Sequence, residues 1–490
     1  RTVTNAAGTV ATYVIVYDTL GNAVTNTAAY GELTAVTATG YDGQGRAVSE
    51  TDALGNTVVT AFDSLGAAVS RSGAAYPMQY AYDTAGRMKS LATTRDGGAW
   101  DVTQWIFDPA MGLASNKVYA DGSRIGYTHT PDGKPLRTTW ARGEWREHTY
   151  NADGLLAATS YSDATPGFAL GYDVFQRLAY ASNSVAQYSY ANSALGAVTN
   201  ETLTVGGEVA TLTRGLDDRH RLADISLEGQ LHAAYSYDVK NRLSGVTNAA
   251  FTVNYAYTSD GWDTGYTVTL TNGTVLSRNL TRDQHRRSLT KAITNAIDSI
   301  PLNPLVYGYD LLNRVASRNA DSFGYNTRSE LALAIIAPSH TNRHEYDNIG
   351  NNLWMSVNTA TNFYSANLLN QYTRIANGTV IEPEYDLDGN MTWDGRFSYT
   401  WDAGNRLTAV YSNSTCIVSN AYDHMSRRVL KVTPAATHSF VYDGWNLIAE
   451  VLRPVSGVQT TNRYVWGRDL SGSLQGAGGV GGLLAVSRNG

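Results

Sequence analysis

Tyr41-Asp42-Gly43-Gln44-Gly45-Arg46 and Tyr82-Asp83-Thr84-Ala85-Gly86-Arg87 follow one pattern: an aromatic, aspartate, two tip residues, glycine and arginine. Each position answers to the backbone. The aromatic closes a strand and offers a broad surface to bury. Aspartate opens a turn, because its carboxylate accepts backbone N–H groups two residues on. Glycine three residues later takes positive φ, as a type I turn followed by a bulge requires. Three further copies put asparagine at that place: Tyr237-Asp238 with Asn241-Arg242, Tyr309-Asp310 with Asn313-Arg314, and Trp401-Asp402 with Asn405-Arg406. Asparagine is the next residue most tolerant of the left-handed region. The exchange suits a turn and would be out of place at a reaction centre.

The doublet recurs along the whole chain. An aromatic precedes aspartate 16 times in 490 residues, where composition alone would give roughly three. The better copies, at Tyr41, Phe62, Tyr82 and Phe107, return every 20 to 25 residues. A period of that length marks stacked repeats. Between the turns lie alternating or β-branched stretches, such as Asn56-Thr57-Val58-Val59-Thr60 and Tyr266-Thr267-Val268-Thr269-Leu270, which read as strands. One repeat is thus one hairpin, and the expected fold is all-β, tandem antiparallel β-hairpins forming one long strip. About 20 repeats of two strands at ~4.8 Å would run roughly 190 Å. Twist keeps such a strip from staying flat, so it coils or closes into a barrel around a hollow or filled interior. The only segment that reads as a short helix is Arg282 to Ile300. Spacing loosens between Leu280 and Tyr309 and between Tyr346 and Tyr385, as insertions or degenerate copies.

Charged residues make up only 16% of the chain and the net charge is −6, without the clustered Lys and Arg of a polyanion binder. Nucleic acid is therefore not an expected partner. The single cysteine, Cys416, excludes an intramolecular disulfide framework, and a buried free thiol is expected. No apolar run approaches the ~20 residues that cross a bilayer as a helix, so no transmembrane segment is expected. Arg1 falls within repeat-like sequence, which reads as a piece cut from a longer chain. Composition shifts near Asn462, where Arg463-Tyr464-Val465-Trp466-Gly467 leads into the glycine-rich stretch Gly476 to Gly482. The expected division is a repeat array over 1–461 and a glycine-rich segment over 462–490.

The tandem Tyr-Asp-x-x-Gly-Arg copies resemble the YD-repeat or Rhs-repeat proteins of bacteria. So do Tyr385-Asp386-Leu387-Asp388-Gly389-Asn390, Trp401-Asp402-Ala403-Gly404-Asn405-Arg406-Leu407 and Tyr464-Val465-Trp466-Gly467. The resemblance implies a cocoon-like shell that encloses a C-terminal polypeptide, often a toxin, in a secreted or cell-surface protein. It also implies that 462–490 approaches the family's core segment. Related repeats in animal adhesion proteins form a similar barrel. The family's core ends in an Asp-Pro-x-Gly self-cleavage motif, which this chain does not reach. Asp108-Pro109-Ala110-Met111-Gly112 has one residue too many and reads as a turn.

Other candidate chemistry is weak. Gly476-x-Gly478-x-x-Gly481 fits a dinucleotide fingerprint only as a bare pattern, lacking the acidic residue about 20 positions later. His340 and His344 would share a helix face, but their surroundings read as a loop without a third metal ligand. Asp217-Asp218-Arg219-His220 occupies a repeat-turn position. Paired carboxylates for glycoside hydrolysis have no recognisable placement. No cofactor, metal or catalytic residue is expected. Three functions stay open: a non-enzymatic shell around its own C-terminal effector, a surface adhesion module contacting glycans through outward aromatics, and a solenoid carbohydrate-active enzyme.

Overall fold

The computed structural model describes residues 2–4, 10–30, 33–282, 288–295 and 305–488. Their regular structure is strand throughout, from Thr2–Thr4 to Leu483–Arg488, with no helix among the described residues. Pairing is antiparallel between strands consecutive in sequence, so the array consists of hairpins.

The quoted motif explains the hairpin. Strands Leu33–Tyr41 and Ala47–Thr51 pair Ala38 with Thr51 and Gly40 with Ser49, then shift register so that Tyr41 faces Ala47. Asp42 N–H donates to the Arg46 carbonyl at 3.0 Å, and Gly45 N–H donates to the Asp42 carbonyl at 3.0 Å. Gly45 has φ +77°, and the asparagines at its place, Asn241, Asn313 and Asn405, have φ of +64°, +64° and +57°. This is a type I turn with a bulge that leaves the aromatic beside the turn. The same register shift comes immediately before Tyr82, Tyr237, Tyr309 and Trp401.

The chain divides into two compact units. The first comprises Arg1–Arg124, Arg278–Asn295 and Ile300–Pro383. Its two stretches of hairpins meet through Tyr76, whose hydroxyl donates to Glu330 at 3.0 Å, and through Asn348, whose N–H donates to the Arg95 carbonyl at 2.9 Å. The second comprises Ile125–Ser277, Ala296–Ser299 and Glu384–Gly490. Its C-terminal part is a ten-stranded sheet running from Glu384–Tyr385 to Leu483–Arg488. One apolar core joins Leu203, Leu212, Ile225 and Leu227 to Val429, Val441 and Ile448. A second joins Val246, Phe251 and Val253 to Val465. Each such side chain contributes on the order of 1.5–3 kcal/mol by leaving water.

Three expectations change. Ser288–Asn295, the described centre of the segment read as a short helix, is a strand, and Arg282 ends the strand before it. The remainder of Arg282 to Ile300 lies outside the described residues. Thr290, Ile293 and Thr294 are β-branched, which favours a strand over a helical turn. His340 and His344 lie on strand His340–Tyr346, not in a loop. A rise of ~3.3 Å per residue sets them about 13 Å apart, too far for one metal ion. Cys416 is exposed, because it follows the tight Asn413-Ser414 turn at the tip of its hairpin. The loosened spacing after Tyr346 is a degenerate copy, with Asn367 serving as the turn acceptor in place of an aspartate.

Candidate functional site: the clasped repeat turn

The repeating element is more than a turn. In each full copy one aspartate oxygen accepts two backbone N–H groups, as Asp42 does from Gln44 at 2.9 Å and Arg46 at 3.0 Å. The other oxygen accepts Nε of the arginine four residues on, at 2.7 Å for Asp42–Arg46, Asp83–Arg87, Asp238–Arg242 and Asp310–Arg314, and 2.8 Å for Asp402–Arg406. The backbone N–H of Arg46 and of Arg242 holds the carboxyls of Asp42 and Asp238 below the usual carboxylate range. For Asp83 the Arg87 side chain is the leading cause. Charged acceptors with this many donors are committed to structure.

Arginine then reaches forward. Arg46 donates to the Asp63 carbonyl at 2.8 Å and Arg87 to the Gly112 carbonyl at 2.7 Å, each in the next turn along the same edge. Its guanidinium also lies over the next aromatic: Arg46 over Phe62 at 4.9 Å, Arg242 over Tyr257 at 4.1 Å, Arg314 over Tyr325 at 4.5 Å, and Arg406 over Tyr422 at 5.0 Å. Tyrosine reaches backward. Tyr41, Tyr82 and Tyr237 donate their hydroxyls to Ala23, Ala68 and Leu222 at 3.0, 2.9 and 2.9 Å. Each acceptor begins the strand that follows the preceding turn. Trp401 donates its indole N–H to the Met391 carbonyl at 2.8 Å, so tryptophan performs the same office. Full copies such as those at Tyr41 and Tyr82 are therefore clasped to neighbours on both sides, by hydrogen bonds worth about 1 kcal/mol each.

The twenty repeat-turn residues named from the sequence thus sit at five separate turns and do not converge on one pocket. Asp108 to Gly112 is a turn one residue longer, with Asp108 N–H donating to the Leu113 carbonyl at 2.8 Å. Asp217 accepts Arg219 and Arg221 N–H at 2.9 Å each, and His220 takes the positive φ of +61°.

Sequence reasoning missed the groups that join the two parts of the second unit. Arg214 spans Glu201 and Asp443, at 2.7 Å to each. Burial opposes its charge, but Asp443 and Glu201 outweigh that and raise its pKa further. Tyr188 donates to Asp423 at 2.9 Å, and Asp423 also holds Arg427 at 2.7 Å. Burial, then the Asp423 charge, pushes the Tyr188 hydroxyl far upward. Arg142 contacts Asp388 at 2.6 Å and Asp386 at 3.2 Å and donates to the Asp402 carbonyl. One signal was available: Glu201 and Arg214 are charged residues inside strands rich in Thr, Val and Leu.

Comparison with known proteins agrees with this geometry. The crystal structure of TcdB2–TccC3 superposes on 95% of this chain with a TM-score of 0.62, at 14% identity and over 32% of its own length. The chain has the YD-repeat shell fold. A Tc holotoxin pore from Photorhabdus luminescens shares this shell fold over 95% of the chain and 31% of its own, with TM-score 0.52 and 14% identity. The tRNA nuclease WapA of Bacillus subtilis (strain 168) is 32% identical over 110 residues, 21% of this chain and 5% of that protein. The tRNA(Glu)-specific nuclease WapA of Bacillus subtilis subsp. natto is 35% identical over 85 residues, 17% and 4% of the two. These matches span about a twentieth of the curated relatives and under a third of the solved chains. No family model matches the chain.

Proposed function

We propose that this chain is a non-enzymatic shell segment of a Rhs/YD-repeat protein, which encloses its own C-terminal polypeptide, a toxin, and helps to deliver it. The observation that carries this reading is the two-way clasp, which commits the repeated Asp, Arg and Tyr to holding hairpins together and leaves them no reactive role. Likeness to TcdB2–TccC3 over nearly the whole chain supports it. In this reading residues 1–461 form the repeat wall and 462–490 lead toward the core segment. The protein is secreted or displayed on the cell surface, and its principal partner is the downstream effector. The test is to express the chain joined to its native downstream sequence and to challenge the product with protease. The downstream polypeptide should outlast the same polypeptide made alone. Digestion at equal rates would reject enclosure.

A further inference from the structure

A cleft of about 300 Å³ opens in the second unit, where the loop at Asp163 to Pro166 meets the strands ending in Trp401 and Tyr422. Its polar groups divide into those already committed and those still free. Trp401 gives its indole N–H to Met391, and Tyr422 gives its hydroxyl to the Leu407 carbonyl at 2.7 Å. Both rings therefore have only faces and edges to offer a ligand. Arg406 is paired with Asp402 at 2.8 Å and lies over Tyr422, so its charge is balanced.

What remains is acceptor. Asp163 accepts the Thr165 N–H at 2.9 Å and the Ala403 N–H at 3.0 Å, and it has no cationic partner among the described residues. The side-chain carbonyl of Asn420, which also lines the cleft, is buried without a donor, while its amide N–H donates to the Leu407 carbonyl at 3.1 Å. An unbalanced carboxylate beside two aromatic rings selects a cation carried on an apolar stem.

We propose that this cleft binds an alkylammonium group, carried by a small polyamine or by a lysine side chain of another polypeptide. The ammonium donates to Asp163, and its methylene chain lies along Trp401 and Tyr422. A pyranose would leave the carboxylate without a counter-charge, and an anion would be repelled.

Titration calorimetry and saturation-transfer NMR on the whole chain test this with n-butylamine, putrescine, an Nα-acetyl-lysine amide and methyl glucopyranoside. Saturable binding of the amines without binding of the sugar is expected. Asp163→Asn should weaken the amines about tenfold, since it removes charge while Thr165 still accepts the Ala403 N–H at 2.9 Å. Ala164→Trp should abolish binding by filling the cleft from an exposed loop position, and thermal melting will confirm that both variants fold. Preference for the lysine amide assigns the site to a polypeptide, and preference for putrescine assigns it to a polyamine. No saturable amine binding, equal binding by folded Asp163→Asn, or equal binding of the sugar would overturn the proposal.

Discussion

Asp42 and Arg46 in the first unit keep 23% and 26% of their side-chain surface exposed, whereas Asp423 and Arg427 in the second keep 0% and 2%. The contact itself is identical, Nε to Oδ2 at 2.7 Å in both. What differs is the strand sequence around it. Leu33–Tyr41 reads Leu-Thr-Ala-Val-Thr-Ala-Thr-Gly-Tyr, rich in small and hydroxyl side chains. Leu222–Leu227 places Ile225 and Leu227, and Phe251–Tyr257 places Phe251 and Val253, on alternate buried positions. Accordingly, every buried apolar residue described lies in the second unit except Ala92, Leu280 and Ala334. The turn builds a hairpin wherever it occurs, but a packed core needs the alternation as well.

Removing one carboxylate should expose that difference most sharply. Asp423→Ala strands the buried Arg427 and frees the Tyr188 hydroxyl, and it should cost about 3–5 kcal/mol in urea unfolding. The matched Asp42→Ala should cost less, about 1–2 kcal/mol, because it loses the turn hydrogen bonds from Gln44 and Arg46 while water partly screens the half-buried ion pair. Equal losses would erase the distinction.

Core truncation sharpens it next. Ile448→Ala should cost about 2–5 kcal/mol through lost contact and the cavity left behind. Val59→Ala, on an exposed strand position of the first unit, should stay within about 0.5 kcal/mol by the same assay.

Acid should separate the units by a smaller margin. Burial holds His232 and His424, both in the second unit, below the ordinary histidine range. His232 is neutral and donates Nε2–H to the Tyr464 carbonyl at 2.9 Å. The unfolded chain takes up these protons at higher pH than the folded one. Stability is therefore complete above the ordinary histidine pKa and falls as pH drops through it toward the folded value. The urea midpoint of the second unit should be lower at about pH 5.5 than at about pH 7.5, and His232→Gln should flatten that slope. An unchanged midpoint in the parent chain would rule the contribution out.

Turn strain is the smallest effect. Gln176 holds φ +62° at a bulge position where glycine is at ease. Gln176→Gly should raise stability by about 0.5–1 kcal/mol, read as a higher melting temperature.

The hairpin was legible because a turn is local. Aspartate, the positive-φ residue and arginine lie within five positions, and period-two strands flank them. The clasp was half legible. Tyr237 announces a strand end, yet its hydroxyl bond to Leu222 spans 15 residues and depends on how one hairpin lies beside the next. The links from Arg214 to Asp443 and from Tyr188 to Asp423 span more than 200 residues, and nothing local encodes them. His340 and His344 lie on a strand, yet Pro338, Ser339 and the polar residues around them give no local strand signal and read as a loop.

Hydrogen exchange on paired variants addresses the central idea, that one repeated turn takes its worth from what covers it. Arg46→Met should speed exchange only around its own hairpins, near residues 41–66. Arg427→Met should speed it across both sheets that meet there, including 181–227 and 428–450. If both variants disturb only their own hairpins, or if Arg46→Met disturbs the wider region, the account is wrong.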